Sequence, residues 1–484
     1  MFGERIKMKV VQDDGVRSDD ILDEDPIDQE LGAVPSSEEL DHSQSGETQD
    51  QKIGLRDSLN TIFSWKNYKV YLVTAWFFNA IVYLDSFFNL YLWIIVPDIV
   101  FIGAISTAAS IILAFSRFVG GYIGDRVDRK FLAVISMFIL SIYYFMMGIF
   151  IDPLLIFIAL IINASAAMTR GGSTAYIMDN IPREHSGLAL SLFTSGRFLS
   201  IITLVAFGIL YPLMDWAAFR LLSLIAGVLL ILSTVLRAKY LENSQVNRRK
   251  AGTKLWRVFI EDNKRAVKLL LTIIPGMIIV CVLDAISDSF FKLGAFIYMY
   301  EELYISVPSI VIMLIATIII QVPLLLKVGR LTDRKGVKST ALLVYSIMPM
   351  SAALLILAFW FPNWAPLSFS VAANTIIPGL GIIFNISFIA VVLKYVNDTL
   401  WYTIVLVLIR KRLPSQDTSK ILSLFWFIVW LTSSIGPLIG GIISETIGIL
   451  YLFVGMLILN IIILGAIARY DLTTKGVSNI PDVQ

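Results

Sequence analysis

Long apolar stretches recur along the chain and constrain its fold more than any other feature of the sequence. Hydrophobic residues make up 57% and charged residues 16% of the 484 positions, against about 45–50% and about 25% in soluble domains. A soluble core cannot bury this much apolar surface, so the sequence excludes a soluble enzyme. A membrane-spanning helix needs about 20 residues, and residues 61–484 therefore have room for roughly a dozen.

The apolar stretches predict an all-α integral membrane protein with twelve transmembrane helices. The predicted helices are 69–96, 99–120, 131–150, 154–177, 188–213, 217–239, 269–299, 305–327, 339–361, 381–409, 421–444 and 447–468. The segment 362–411 allows two interpretations. It is an outside segment followed by one long helix, as placed here, or a helix at 366–393 followed by a short apolar piece.

Lys and Arg are distributed unevenly between the predicted loops, and this predicts the orientation of the chain. One set of loops is basic, and its longest member, 237–268, contains ten Lys and Arg residues. The alternate loops, such as 151–153 and 301–304, are short and lack this excess. Because basic loops remain in the cytoplasm, we expect both termini there, in a multi-pass protein of the plasma membrane.

The regions outside the apolar stretches define the predicted organisation. Residues 1–60 contain 16 Asp and Glu but 6 Lys and Arg, a composition typical of disorder. They show no apolar core of a cleaved signal peptide, so we expect the first span to act as the targeting signal. The predicted parts are a disordered acidic cytoplasmic tail (1–64), an N-terminal six-helix bundle (65–239), a basic cytoplasmic linker (240–268), a C-terminal six-helix bundle (269–470) and a cytoplasmic C-terminal tail (471–484).

The two predicted bundles share an internal duplication. The segment 121–130 reads GYIGDRVDRK and 329–338 reads GRLTDRKGVK. DSFFNL, which begins at Asp85, matches DSFFKL, which begins at Asp288. A further pair of similar segments lies at 175–193 and 407–425. Matches in the same order and at similar offsets predict two parallel repeats.

On these motifs the sequence resembles the major facilitator superfamily over about residues 65–470. The family has a loop motif between its second and third helices and a related motif at the corresponding place in its second half. The first motif is matched by Gly121, Asp125, Arg126, Arg129 and Lys130, and the second by Gly329, Asp333 and Arg334. The resemblance implies two pseudo-symmetric six-helix bundles, transport by alternating access, and a monomer. It also implies that these loops form a latch that stabilises the outward-open state. The alternative is that their basic residues only enforce topology.

Several positions depart from the pattern of the resembled family. Asp128 stands where the family usually has Gly, and Val337 where it usually has Arg. The sequence Gly-Pro-x-x-Gly-Gly occurs at 436–441, in the eleventh predicted helix, whereas the antiporter version of this motif belongs in the fifth. The antiporter subclass is therefore unsupported, and we interpret 436–441 as a kink with a thin face for helix packing.

Ionisable side chains inside the predicted spans mark the candidate site. A charge at mid-membrane costs about 2.5–3.5 kcal/mol on insertion scales and usually faces an interior cavity. The polar candidates lie on predicted helices 1, 4, 7 and 10, the set that lines the central cavity in the resembled family. They are Asp85, Asn89, Arg170, Asp284, Asp288, Lys292, Lys394, Asn397 and Asp398. The i, i+4, i+8 spacing of Asp284, Asp288 and Lys292 places all three on one helix face.

Structural roles remain open for several of these candidates. Asp288 and Lys292 form either part of the site or a static pair that fixes helix packing. Asp85 binds a proton or substrate, or it caps a helix break near Asn89 or lies at the outer gate. Arg170 lines the site, or it extends to the cytoplasmic surface or binds the network of the inner gate.

The predicted function is secondary active transport of a small organic solute. Neither His42 nor His185 lies in an apolar run, so we assign proton coupling to Asp85, Asp288 or Asp284. The alternatives are a passive facilitator and a non-transporting sensor or receptor on the same scaffold. The sequence shows no nucleotide-binding loop, metal-ligand cluster or nucleophile triad. We therefore expect no enzymatic activity, no cofactor, no metal and no nucleic acid partner; the partners expected are the solute, protons and the lipid bilayer.

Overall fold

The computed structural model describes most of the chain after the acidic tail. The described residues are 55–124, 127–179, 192–193, 196–243, 267, 275–335, 337–412 and 418–469. They are predominantly helical, with short connections, and an isolated β-bridge joins Asn363 and Asn385. The protein is thus an all-α structure, as the sequence predicts.

The described helices follow the order of the predicted spans. In the first half they are α1 (Leu55–Ser64), α2 (Lys66–Ile81), α3 (Phe88–Ile95), α4 (Ile99–Gly124), α5 (Arg129–Ile149), α6 (Pro153–Asp179), α7 (Ser200–Met214) and α8 (Ala217–Tyr240). In the second half they are α9 (Pro275–Glu301), α10 (Val307–Lys335), α11 (Val337–Tyr345), α12 (Ile347–Leu357), α13 (Leu367–Ile376), α14 (Ile386–Arg412), α15 (Thr418–Ser433), α16 (Gly436–Ile447) and α17 (Leu450–Arg469). Short 3₁₀ segments lie at Val82–Phe87, Gly196–Leu199 and Leu380–Phe384.

Within the described residues, ten helical segments are long and apolar enough to cross a membrane. They coincide with the predicted spans except the seventh and eighth, which form α9 and α10. The helix α9 carries Asp284, Asp288 and Lys292, so its composition alone does not qualify it as a span. In α10 the apolar stretch with described side chains, Val307–Gln321, is shorter than a full span. The chain is therefore a multi-pass membrane protein.

The segment between the ninth and tenth predicted spans follows the first of its two interpretations. A separate segment with the short helix α13 precedes the long helix α14, and its position outside the membrane stays a prediction. The start of α14 differs from the predicted residue 381, because Leu380–Phe384 forms a 3₁₀ turn. The side chain of Asn385 then accepts a hydrogen bond from the backbone N–H of Ser387 at 2.9 Å, which is the geometry of a helix N-cap.

The boundary of the acidic tail also differs from its prediction. Residues 55–64, which the sequence assigns to the disordered tail, form α1. Ile62 is fully buried in a cluster with Tyr68, Tyr71 and Leu241, and this burial holds α1 against the rest of the protein. Residues 1–54, most of the linker 240–268 and the C-terminal tail lie outside the described residues.

Small residues allow the two halves to approach closely along α4 and α16. A Cβ added to Gly103 on α4 would lie 2.4 Å from the carbonyl oxygen of Pro437. One added to Gly441 on α16 would lie 2.7 Å from the carbonyl oxygen of Ile99. The backbone N–H of Leu438 donates to Thr107 Oγ1 at 3.1 Å across this contact. The glycines at 436–441 thus serve helix packing, as the sequence predicts.

Candidate functional site

A buried lysine lies at the centre of an ionic network in the second half. Lys394 on α14 is 1% exposed, and its Nζ lies 2.9 Å from Asp288 Oδ1 and 2.5 Å from Asp398 Oδ1. Asp288 on α9 also pairs with Lys292, one turn further along the same helix, at 2.6 Å. A buried cation is tolerated only with such compensation, because its desolvation costs several kcal/mol. The network joins α9 to α14.

Asp284 lies one turn from Asp288 but has different partners. Its Oδ1 accepts a hydrogen bond from the Tyr345 hydroxyl at 2.8 Å, and its Oδ2 accepts one from the Trp401 indole N–H at 3.0 Å. In the described part of the chain, Asp284 forms no ion pair within 4.0 Å. The Tyr345 hydroxyl also lies 3.1 Å from Asn460 Oδ1. Neutral donors therefore hold this carboxylate.

In the first half, Asp85 lies in the 3₁₀ segment that interrupts the first span between α2 and α3. The hydroxyl of Tyr143 on α5 donates to Asp85 Oδ1 at 3.2 Å. The Asp85 side chain does not cap the following helix, because α3 begins after Phe87 without a side-chain cap. Arg170 on α6 donates to Asn163 Oδ1 at 2.7 Å, and its guanidinium lies 5.9 Å from the ring centre of Phe78. Arg170 thus has partners within its own half.

The first and seventh spans contact each other one turn beyond the two acids. Asn89 Nδ2 donates to the backbone carbonyl of Lys292 at 2.7 Å. Trp93 Nε1 donates to Glu301 Oε1 at 2.8 Å near the end of α9. Asp85 and Asp288 therefore lie on segments that touch, although the polar partners of each acid belong to its own half.

One aromatic ring of the second half lies close to a cation from each half. The guanidinium of Arg117 on α4 lies 4.7 Å from the ring centre of Trp430 on α15. Lys292 Nζ on α9 lies 5.9 Å from the same ring. The Lys292 side chain is 55% exposed even though it lies well inside α9. Solvent-accessible space therefore reaches this polar side chain between the halves.

The structure groups the residues that the sequence predicts for the site. Asp288, Lys292 and Asp398 are joined through Lys394, with Asp284 beside them. Asp85 and Arg170 lie in the first half, and Asn89 is at the contact between the halves. Asn397 on α14 is fully buried, and its side-chain oxygen and nitrogen have no hydrogen-bond partner within the described residues.

Sequence reasoning missed the tyrosines that bind the acids. Tyr143 and Tyr345 each donate to a carboxylate on the first helix of their own half. They lie at similar places in the third helix of each repeat, at nearly the spacing that separates Asp85 from Asp288. That repeat spacing is the signal that could have identified them. Ser287 and Asn460, joined at 2.9 Å, carry no comparable signal.

The latch motifs fall largely outside what the structure describes. Asp125 and Arg126 lie outside the described residues. The backbones at Gly121 on α4 and at Gly329, Asp333 and Arg334 on α10 are helical, but their side chains are not among those described. Arg129 and Lys130 begin α5, where Asp128 Oδ1 accepts the backbone N–H of Lys130 at 2.8 Å. Asp128 thus acts as an N-cap where the family usually has Gly, and the latch stays a prediction.

Comparison with known proteins gives both a family match and structural likenesses. The sequence model of the Major Facilitator Superfamily matches residues 70–400. A solved mutant of the nucleoside transporter NupG has a TM-score of 0.61 at 15% identity, over 83% of this chain and 99% of that one. A D-xylose-proton symporter has a TM-score of 0.59 at 14% identity, over 84% and 97%. No curated protein sequence matches the chain.

A third solved structure, the inward-open xylose transporter XylE from E. coli, has a TM-score of 0.58 at 15% identity, over 86% of this chain and 98% of that one. At these identities the likenesses show the fold alone. The family match covers more than half of the chain and agrees with the duplicated motifs and the helical order. The chain therefore belongs to the Major Facilitator Superfamily.

Proposed function

We propose that the protein is a secondary active transporter of a small organic solute, coupled to protons through carboxylates within its spans and located in the plasma membrane. The observation that carries this proposal is the set of acids on α9 with two kinds of partner. Asp288 lies between two lysines, whereas Asp284 is held by a hydroxyl and an indole. The nucleoside and xylose transporters with the same fold support a small polar solute.

The acids of the second half have either charged or neutral partners, and this difference suggests two roles. Protonation of Asp288 or Asp398 would remove one of the two carboxylates that compensate the buried Lys394, which is costly in an apolar interior. Protonation of Asp284 leaves no cation unpaired, because its donors are neutral. Asp284 is therefore the proposed proton site, with Asp85 as its counterpart in the first half.

The lysine network supplies the proposed solute-binding surface. Asp288 and Asp398 are 23% and 29% exposed, so both carboxylates reach accessible space beside the exposed Lys292. Trp430 adds an aromatic face next to Lys292 and Arg117. Charges of both signs beside a ring suit a polar solute with an apolar face. Alternating access then requires the contacts at Asn89 and Trp93 to break when the outer side opens.

A transport assay tests the proposal directly. A thermal-shift screen of sugars, nucleosides, amino acids and organic cations first identifies a bound solute. The purified protein is then reconstituted into liposomes that contain a pH-sensitive dye, and solute uptake and lumenal pH are measured with and without a proton gradient. We expect gradient-driven uptake accompanied by proton entry. Asp284→Asn should retain solute binding and exchange but lose the response to the gradient.

The control for this variant is Asp215→Asn, in the connection between α7 and α8. Asp215 has a positive φ of 53°, and Asn, which has nearly the same shape as Asp, changes this backbone least; the residue lies outside the acid clusters. This variant should transport like the unmodified protein. Gradient-independent flux in the unmodified protein would instead indicate a passive facilitator, and binding without flux would indicate a sensor or receptor.

A further inference from the structure

The segment between α12 and α14 forms a small folded unit, which we call the outer flap (residues 361–385). Its two ends are joined, because Ile386 N–H donates to the Pro362 carbonyl at 2.8 Å and Trp364 N–H donates to the Phe384 carbonyl at 3.1 Å. Inside it, Asn374 Oδ1 accepts the backbone N–H of Gly381 at 2.7 Å. The flap thus satisfies much of its own backbone hydrogen bonding.

The outer flap is fixed to the first turn of α10. Gly379 adopts a left-handed conformation with φ of 89°, and a Cβ at this position would lie 2.8 Å from the backbone nitrogen of Ser309. The backbones of the flap and of α10 therefore pack without an intervening side chain. This contact places the base of the flap level with the end of a spanning helix.

The flap exposes large apolar side chains around the helix α13. Leu367, Phe369, Val371 and Ile376 are each more than half exposed, and Ile376 is 75% exposed. Comparable exposure occurs on the membrane-spanning helix α7, where Leu213 is 78% exposed. The helix also exposes the uncharged polar side chains of Ser368, Asn374 and Thr375, and such a mixture suits the boundary between membrane and water. At ten residues, α13 is too short to cross a bilayer.

The sequence around the flap lacks charge entirely. No Asp, Glu, Lys, Arg or His occurs from residue 339 to residue 393. The loop between α9 and α10, at the same end of the protein, contains Glu301 and Glu302 by contrast. Trp360 and Trp364 are exposed at the junction of α12 and the flap, and tryptophan is enriched where membrane meets water. The apolar surface of the flap therefore continues that of a spanning helix.

We propose that the outer flap lies in the membrane–water interface, with the apolar side chains of α13 in contact with lipid. Three observations favour a bilayer over a second protein copy. The surface is uncharged and exposes large apolar side chains, it is continuous with the spanning helix α12, and its boundary carries interfacial tryptophans. The inference is independent of the solute and of proton coupling.

Site-directed spin labelling tests this placement in the full-length protein. Cys281 is buried, and Cys281→Ala provides a background without cysteine. Phe369→Cys and Ile376→Cys each receive a nitroxide, and the protein is reconstituted into phosphatidylcholine–phosphatidylglycerol vesicles. Collision with oxygen, which concentrates in lipid, is compared with collision with a water-soluble nickel chelate. We expect oxygen to dominate at both positions.

The control is Glu302→Cys, an exposed residue of the charged loop at the same end, where the nickel chelate should dominate. Leu367→Cys replaces either flap variant that does not elute as a single species. Nickel accessibility in the flap equal to that at residue 302 would place the flap in water and overturn the proposal. Protection from both reagents would also overturn it, because protein, such as a second copy, would then cover α13.

Discussion

The two halves of the molecule share the same helical framework, but the partners of their acidic side chains differ. In each half a tyrosine on the third span donates to a carboxylate on the first. Asp85 is held in this way, whereas its repeat mate Asp288 lies between two lysines, and the tyrosine of the second half binds Asp284 instead. Among the described residues, the ionic network thus lies in the second copy of a duplicated structure.

The tenth span explains this difference. Aligned through the similar segments at 175–193 and 407–425, Lys394 and Asp398 correspond to Ile162 and Ala166 in the fourth span. The positions of the first half that correspond to Lys394 and Asp398 are therefore uncharged. We infer that the second half holds the ionic part of the site, while the first half offers Asp85, which accepts a hydrogen bond from the Tyr143 hydroxyl. The predictions below test this contrast.

Replacement of Lys394 should have the largest effect. Lys394→Met leaves Asp288 and Asp398 without their shared cation, and loss of one member of a buried ion pair costs about 3–5 kcal/mol. The half-buried state of the two acids favours the lower end of this range. Ile162→Met, at the corresponding position of the first half, should cost less than about 1.5 kcal/mol. Thermal unfolding followed by fluorescence-detected size exclusion measures both.

Two outcomes bear on the contrast between the halves. The double variant Lys394→Met with Asp398→Asn should recover part of the lost stability, since it removes one uncompensated carboxylate. Equal melting temperatures for Lys394→Met and Ile162→Met would show that the ionic network does not distinguish the halves energetically.

The next largest effect on stability should come from replacing the two tyrosines, and it should differ between them. Tyr345→Phe removes a hydroxyl that contacts both Asp284 and Asn460, at 2.8 Å and 3.1 Å, and hydrogen bonds to charged groups contribute about 1.5–3 kcal/mol. Tyr143→Phe removes a longer bond of 3.2 Å to Asp85, and we expect it to cost about 1 kcal/mol. Denaturation in a fixed detergent compares them. A larger loss of stability for Tyr143→Phe than for Tyr345→Phe would mean that the more strongly hydrogen-bonded acid lies in the first half.

Replacement of a residue at the contact between the halves should have a smaller effect than the tyrosine variants. Trp93→Phe removes the bond to Glu301 between the adjoining ends of the first and seventh spans, and an exposed bond of this kind contributes about 1 kcal/mol. We expect a several-fold shift towards the conformation in which these ends separate. Electron-electron distances between spin labels at the two helix ends measure this shift. Glu301→Gln retains an oxygen acceptor and should shift the population less.

The sequence predicted the helical order and the membrane character, and it named the charged residues that the structure joins through Lys394; their role in transport stays a prediction. These features depend on local composition and on the repeat, which can be read from the sequence itself. The sequence did not show which acid each partner binds, because Tyr143, Tyr345 and Trp401 reach their carboxylates only after helices from distant parts of the chain pack together. The spacing of Asp288 and Lys292 indicated their pairing, but it could not show that Lys394 pairs with the other oxygen of the same carboxylate.

Lys292 should contribute least to stability, although it pairs with the same acid as Lys394. Its side chain is 55% exposed, and an exposed i, i+4 ion pair contributes about 0.3–0.5 kcal/mol. Lys292→Met should therefore leave the melting temperature nearly unchanged, because Lys394 still compensates Asp288. The same variant should weaken solute binding if Lys292 faces the solute beside Trp430. A melting temperature as low as that of Lys394→Met would mean that both lysines are structural, and the solute-binding surface would then have to be sought elsewhere in the molecule.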